Sequence, residues 1–192
     1  IILYLEINRK KLTIQTQENS KTEVKEEPKP QPAPQPEVKE ESKKATIPSH
    51  NHEDSIKASE AVAVSIFLLR KGMSKEDVVK YIKDNYYSLD YDLETLQRTY
   101  TFSSKASNSV PQALYIFSVS NDFEDSIRKA ISIGGDTDTI AAIVGSLSES
   151  YYGIPENLKQ EVKPYLRDYM YDLLKDRYYQ KDKVRVKNET NN

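Results

Sequence analysis

The chain of 192 residues contains no cysteine and no tryptophan, and it has only five glycines and two histidines. Without cysteine it forms no disulfide, no thiolate nucleophile and no cysteine-based metal site, a composition that fits a cytoplasmic protein. No apolar run approaches the roughly 20 residues that cross a bilayer, so we expect no membrane partner. The formal net charge of −2 gives no electrostatic basis for binding nucleic acid.

The first 45 residues differ in composition from the rest of the chain. Residues 1–16 open on Ile-Ile-Leu-Tyr-Leu rather than on methionine, and we interpret them as the stub of an upstream element. Residues 17–45 are rich in Glu and Lys and are predicted to form a disordered linker, because dense charge and alternating prolines oppose a packed core. A ligand for a proline-binding groove is the alternative. The alternating prolines are Pro28, Pro30, Pro32, Pro34 and Pro36.

Downstream of this linker the sequence has helical periodicity and almost no strand-like alternation. Apolar residues recur at spacings of three and four, between residues that cap or end helices. The pattern predicts an all-α domain over residues 46–180 and a disordered tail over residues 181–192. The predicted helices cover 54–71, a segment starting at Ser74, 110–118, 122–133, a segment from the Asp138 region to Tyr152, and 164–178.

Short polar residues mark where two of these helices begin. Ser74 with Asp77 three residues later forms a weak capping box, and Asp122 is expected to cap the helix over 122–133. That helix is predicted to present Phe123, Ile127, Ala130 and Ile131 to the core.

The densest cluster of ligand-type oxygens is Gly134-Gly-Asp-Thr-Asp-Thr139, directly before the apolar run 140–145. Asp136 and Asp138 share one side of any extended segment, and Thr139 adds a hydroxyl. Such hard oxygen donors suit Mg²⁺, Mn²⁺ or Ca²⁺ rather than zinc. Helix capping by Asp138 or Thr139 is the alternative, although it leaves Asp136 unexplained.

Two other aspartate-rich motifs do not fit this cluster. An EF-hand loop counted from Asp136 requires Gly and Glu where Ala141 and Leu147 stand. A phosphatase-type aspartyl nucleophile would follow a buried strand, whereas a glycine pair precedes this cluster.

Four ordered segments, taken together, resemble the ADP-ribosylglycohydrolase family over roughly residues 46–170. The most specific is Gly134-Gly-Asp-Thr-Asp-Thr-Ile-Ala-Ala-Ile-Val-Gly145, which continues to Pro155. The other three are Ser49-His-Asn-His-Glu-Asp-Ser-Ile-Lys-Ala58, Ser109-Val-Pro-Gln-Ala113 and Ser120-Asn-Asp-Phe-Glu-Asp-Ser-Ile127.

The resemblance implies an all-α hydrolase whose orthogonal multi-helix bundle corresponds to the C-terminal half of the family fold. It implies a centre of two Mg²⁺ ions that cleaves the glycosidic bond between ADP-ribose and a modified acceptor, so ADP-ribose or an ADP-ribosylated protein is the expected partner. By the same resemblance, Asp136, Asp138 and Thr139 are metal ligands and His52 lies near the ADP-ribose pocket. For His52 the alternative is a histidine at a helix start that bonds to the backbone.

The resemblance also shows what residues 1–45 lack. The family's N-terminal half carries a Gly-Asp motif, a Thr-Asp-Asp-Thr ligand set and a glycine-rich phosphate loop, whereas residues 1–45 contain neither glycine nor aspartate. We therefore expect half of an active site, completed by a separate N-terminal half or by an oligomer. A non-catalytic ADP-ribose-binding or regulatory module is one alternative, and a structural relative without activity is another.

Overall fold

The computed structural model describes residues 36–174, and within this range it contains helices and no strand. The all-α prediction is confirmed. The chain divides into two compact units at Gly153. The first unit contains α1 (Pro36–Thr46), α2 (Glu53–Arg70), α3 (Lys75–Asn85), α4 (Leu93–Thr99), a 3-10 turn (Ala106–Asn108), α5 (Val110–Ser118), α6 (Phe123–Ser132) and α7 (Thr137–Tyr152).

Helix α2 lies at the centre of the larger core cluster of this unit. Its small and β-branched residues are buried around most of its circumference, as expected for a helix without a polar face. Ala61, Val64 and Leu68 are fully buried there, and they pack with residues of α3 and α5 such as Ile82 and Phe117. This cluster forms the frame on which the remaining helices are arranged.

A smaller core cluster fixes the N-terminal half of α7. Ile140 and Val144 of α7 are fully buried against Ile116 of α5 and Ala130 of α6. Because these residues occupy successive turns on one face, they hold the beginning of α7 in a defined orientation. The residues just before Ile140, at the start of α7, are therefore attached to a well-packed part of the helix.

The C-terminal end of α7 is held by a polar contact. The Lys75 ammonium donates to the Ser120 carbonyl at 2.7 Å, and the Tyr152 hydroxyl donates to the same carbonyl at 2.6 Å. These bonds satisfy a carbonyl that follows α5, where no further helical N–H is present. They link the start of α3, the end of α5 and the end of α7.

The predicted capping residues are confirmed. The Ser74 hydroxyl accepts a hydrogen bond from the Asp77 N–H at 3.1 Å, and the Asp122 carboxylate accepts from the Asp125 N–H at 2.8 Å. Each side chain satisfies a backbone donor that has no partner within its own helix. Local chemistry therefore sets the starts of α3 and α6.

The prediction of a disordered linker over 17–45 is wrong for residues 36–45, which belong to α1. The Ser42 hydroxyl is buried and lies 2.8 Å from the Ser59 hydroxyl of α2, and Lys39 forms an ion pair with Glu60 of α2 at 2.9 Å. These contacts with α2 supply stability that the charged sequence of α1 lacks in isolation. The predicted stub, the linker up to residue 35 and the tail over 181–192 lie outside the described residues.

Helix α6 differs from its predicted face at one position. Ala130 is fully buried, whereas Ile131 is 57% exposed. Successive helical residues are about 100° apart around the axis, so neighbouring residues cannot both point directly into one narrow core. Ile127 does face α7, with its Cδ1 atom close to Gly145.

Two helices escaped prediction because they are short. α4 has a single buried residue, Leu96, and begins at the capping residue Asp92. In the second unit, α8 (Glu156–Val162) precedes a 3-10 turn at Lys163–Tyr165, and residues 168–174 are helical again. The predicted continuous helix over 164–178 is thus interrupted before residue 168, and its last residues lie outside the described range. Among residues 36–174, no helix combines the length and apolar composition that a membrane crossing requires.

Two tyrosines that follow α3 predict how the first unit responds to alkali. Burial raises the pKa of Tyr87 to about 12, with a further contribution from Asp54. Burial also raises the pKa of Tyr86, and its hydrogen bond to Glu60 adds to the effect. An unfolded tyrosine loses its proton near about pH 10. We therefore expect the free energy of unfolding to fall as the pH rises from about 10 to about 12, because only the unfolded state ionises there.

Urea denaturation at about pH 8 and about pH 11.5 would measure this loss. Tyr87→Phe should keep its stability at the lower pH, because the Tyr87 hydroxyl has no hydrogen-bond partner within the described residues. It should also lose less stability than the unsubstituted chain at the higher pH. An alkaline loss as large in Tyr87→Phe as in the unsubstituted chain would contradict the prediction. The exposed Tyr165, substituted by Phe, serves as the control.

Candidate functional site

Two consecutive glycines connect α6 to α7 through backbone that other residues rarely adopt. Gly134 has φ +73° and Gly135 has φ +64°, both in the left-handed region. The Gly134 N–H donates to the Ile131 carbonyl at 3.2 Å and closes the end of α6. The chain then turns sharply enough for α7 to begin at Thr137.

Gly135 lies against the segment that follows α4. A Cβ atom at this position would be 2.6 Å from Cε1 of Tyr100 and 3.0 Å from the carbonyl carbon of Thr101. Only a glycine permits this close approach of two backbones. The Tyr100 ring also packs against the smaller core cluster, so the glycine pair rests on an ordered surface.

Asp136 occupies the N-cap position of α7 but does not cap it. Its φ and ψ are −82° and 61°, and its side chain accepts no capping hydrogen bond. Its carbonyl does accept the first helical bond, from the Ile140 N–H at 3.1 Å. Neither Asp138 nor Thr139 occupies the N-cap position, because both residues lie inside the first turn of α7 and are exposed.

The two carboxyl groups of the cluster lie within hydrogen-bonding distance of each other. A hydrogen bond with the Asp136 carboxyl group holds the pKa of Asp138 below its usual range, and the Thr139 N–H adds to the effect. Two adjacent carboxylates repel each other unless a proton or a cation lies between them. The start of α7 therefore places two acidic groups side by side, the exposed Asp138 and the partly exposed Asp136.

The oxygen donors of Asp136, Asp138 and Thr139 fit one side of a Mg²⁺ site. Mg²⁺ prefers one or two carboxylates together with waters and substrate oxygens, and the N-terminus of α7 leaves both carboxyl groups accessible. Within residues 36–174, no group of three or more His, Cys, Asp or Glu side chains surrounds a common point.

His52 is located at the start of a different helix. It is the N-cap of α2, its Nδ1 atom accepts a hydrogen bond from the Asp54 N–H at 3.2 Å, and its side chain is 75% exposed. This is the geometry of a helix-start histidine that bonds to the backbone. No hydrogen bond or ion pair joins His52 to Asp136 or Asp138 within residues 36–174. A role for His52 in substrate binding stays a prediction.

The segment after α4 contributes residues that the sequence did not single out. The Tyr100 ring lies against Gly135. Phe102 comes two residues later, after Thr101, and its side chain is exposed to solvent. No metal-ligand or catalytic motif marks this segment. The glycine pair was the sequence feature that could have predicted this contact, because a residue without a Cβ atom often allows another segment to approach closely.

A family comparison matches most of the chain. The family described as ADP-ribosylglycohydrolase matches residues 30–187. A solved ADP-ribosylglycohydrolase-related protein complex superposes with a TM-score of 0.52 and 23% sequence identity, covering 64% of this chain and 46% of that one. At this identity the structural likeness shows the fold alone.

Individual relatives match shorter segments. An uncharacterised protein of Archaeoglobus fulgidus is 36% identical over 75 residues, which are 38% of this chain and 25% of the relative. The human ADP-ribosylhydrolase ARH3 is 36% identical over 74 residues, covering 31% of this chain and 20% of its own length. The mouse protein of the same name is 38% identical over 69 residues, covering 29% and 19%. The chain thus spans a quarter or less of the length of these relatives.

Proposed function

Because the chain belongs to the ADP-ribosylglycohydrolase family, we propose that it supplies half of a Mg²⁺-dependent centre. This centre hydrolyses the glycosidic bond between ADP-ribose and a modified acceptor, and its substrate is an ADP-ribosylated protein. The observation that carries the proposal is the placement of the Asp136 and Asp138 side chains next to each other at the start of α7, with Asp138 exposed and Asp136 partly exposed. A cytoplasmic location accords with the absence of cysteine.

Asp136, Asp138 and Thr139 would hold the metal. Bound Mg²⁺ supplies polarisation of ribose oxygens and a lower pKa for an attacking water. The protein's own contribution is positional, because Ile140 and Val144 anchor α7 and Tyr100 supports Gly135.

In this proposal the remaining ligands do not come from residues 1–45. Residues 1–45 contain no aspartate and no glycine, so they offer neither a second carboxylate cluster of that type nor a flexible phosphate loop. The chain covers 46% of the structural neighbour, which leaves space in the fold for a complementary half. A separate N-terminal half or a second copy of the chain would complete the centre.

A non-catalytic ADP-ribose-binding or regulatory module is the second candidate. It is favoured by one observation, the absence of a three-residue metal-ligand cluster within residues 36–174. Such a module would bind ADP-ribose without cleaving its bond to the acceptor. Both candidates have the same binding partner and differ only in turnover.

Complementation tests the proposal directly. The chain would be mixed with a separately produced N-terminal half of a family member that carries the Thr-Asp-Asp-Thr motif. Release of ADP-ribose from an ADP-ribosylated protein is then measured with Mg²⁺ and again with excess EDTA. We expect release from the mixture with Mg²⁺, and none from either part alone or with EDTA.

Two outcomes separate the candidates. Calorimetric binding of ADP-ribose by the chain without release from any mixture would support the binding module and reject the hydrolase. Release that persists in EDTA, or that the N-terminal half achieves alone, would reject the role given to this chain.

A further inference from the structure

Two contacts hold the loop between α6 and α7 against α4. The Gln97 amide of α4 donates to the Ser132 hydroxyl at the end of α6, at 2.8 Å. The Tyr100 ring lies against Gly135, where a Cβ atom would be 2.6 Å from Cε1 and 2.8 Å from Cδ1. Tyr100 ends α4, and its N–H donates to the Leu96 carbonyl at 2.8 Å. The glycine turn is therefore restrained on the side of α4.

Asp136 is the acidic residue that this restraint affects most directly. It follows Gly135 in the chain, and its carbonyl accepts the first hydrogen bond of α7 from the N–H of the buried Ile140. Its backbone is thus held on both sides, whereas its side chain accepts no capping hydrogen bond. A ligand side chain keeps a defined position only when the residues that support it are themselves packed. The Tyr100 ring provides such support through Gly135.

The ring of Tyr100, and not its hydroxyl group, makes this contact. The ring packs on the smaller core cluster, which includes Ile140 of α7. The hydroxyl group is buried and has no hydrogen-bond partner within residues 36–174. A buried hydroxyl group without a partner lowers stability. Phenylalanine would therefore supply the same ring contact without this cost.

We propose that Tyr100 is a positioning residue that makes the candidate site prefer Mg²⁺ to Ca²⁺. The inference rests on the proposed function. Mg²⁺ requires nearly octahedral ligands at about 2.0–2.1 Å, whereas Ca²⁺ accepts about six to eight ligands at about 2.3–2.6 Å in a flexible arrangement. Because the backbone of Asp136 is restrained, its carboxylate meets the strict requirement of Mg²⁺ and adapts poorly to the larger ion. Loss of the ring would free the glycine turn and reduce this preference.

Four variants separate the ring contact from general packing. Tyr100→Ala removes the ring, and Tyr100→Leu removes it but keeps an apolar side chain for the core cluster. Tyr100→Phe keeps the ring. Leu96→Ala is the matched control, because Leu96 is buried in the same cluster, while the three atoms nearest to a Cβ at Gly135 belong to Tyr100 and Thr101. Circular dichroism and urea denaturation verify that each variant folds.

Cation binding is measured without turnover, by electron paramagnetic resonance of the Mn²⁺ that Mg²⁺ or Ca²⁺ displaces. Each variant is titrated alone and with the complementing N-terminal half. We expect Tyr100→Ala and Tyr100→Leu to weaken Mg²⁺ binding by about tenfold, as the loss of a group that orients a ligand does, and Ca²⁺ binding by less than about threefold. Tyr100→Phe and Leu96→Ala should keep the ratio of the two affinities. Tyr100→Phe should also be at least as stable as the unsubstituted chain.

The other results overturn the inference in distinct ways. Equal weakening of both cations in Tyr100→Ala and Tyr100→Leu would reduce Tyr100 to a packing role, and the proposed function would stand. The same shift in Leu96→Ala would assign the effect to the core cluster as a whole. A loss of preference in Tyr100→Phe would assign it to the hydroxyl group. If neither cation displaces Mn²⁺ from the unsubstituted chain, alone or with the complementing half, both the inference and the proposed function are rejected.

Discussion

Replacing Gly135 by alanine is expected to destabilise the first unit by about 2–4 kcal/mol. The new Cβ atom would lie 2.6 Å from the Tyr100 ring and 3.0 Å from the Thr101 backbone, and the residue would have to keep a φ of +64°. The ring cannot move away freely because it packs on the smaller core cluster, and the Thr101 contact is with backbone. Either the α4 segment or the start of α7 must therefore shift.

Gly134→Ala is the matched control for this substitution. Gly134 has a similar φ of +73°, but a Cβ atom there would have no neighbour within 4 Å. Only the left-handed strain remains, and we expect a loss of about 1 kcal/mol. Urea denaturation of both variants measures the difference. Equal losses for the two variants would show that the contact with Tyr100 and Thr101 does not hold the glycine turn in place.

The second large effect concerns Asp138. Asp138→Asn keeps the shape of the side chain but removes one of two adjacent negative charges, so Mg²⁺-dependent release of ADP-ribose in the complemented mixture should fall by about 100-fold or more. Because Asp138 is exposed and follows the N-cap position, stability should change little. Release rates over a Mg²⁺ titration give the measurement.

Asp122→Asn provides the control for a lost aspartate charge. Asp122 caps α6 by accepting from the Asp125 N–H, and asparagine caps a helix about as well as aspartate. We expect release and stability to be unchanged in this variant. If Asp138→Asn also released ADP-ribose at the unsubstituted rate, Asp138 would not be a metal ligand.

Helix boundaries that depend on local chemistry were predictable from the sequence. Ser74 and Asp122 cap their helices as predicted, because a short polar side chain before an apolar period satisfies backbone donors wherever the fold places it. The end of α7 at Tyr152 follows from Gly153, whose φ is +75°. The acidic cluster was likewise predictable as a candidate site, since its residue types and spacing alone suggest oxygen ligation.

Features that depend on tertiary contacts were not predictable in this way. α1 has a charged sequence next to alternating prolines. It packs on α2 through Ser42 and Lys39, and no local sequence pattern predicts these contacts. The helical periodicity predicted Ile131 to be buried, but its side chain is exposed, because the neighbouring Ala130 is the residue that faces the core. The support that Tyr100 gives to Gly135 joins residues 35 positions apart in the sequence, so only the folded chain reveals it.

The position of α1 also determines where a recombinant fragment of this domain should begin. A fragment that starts at residue 47 would leave the Ser59 hydroxyl without Ser42 and Thr46, and Glu60 without its ion pair to Lys39. Val38 would no longer cover the larger core cluster. Such a fragment would expose an apolar flank of α2 and aggregate more readily at the concentrations used for crystallisation or calorimetry. A well-behaved fragment should therefore include the whole of α1, which begins at Pro36.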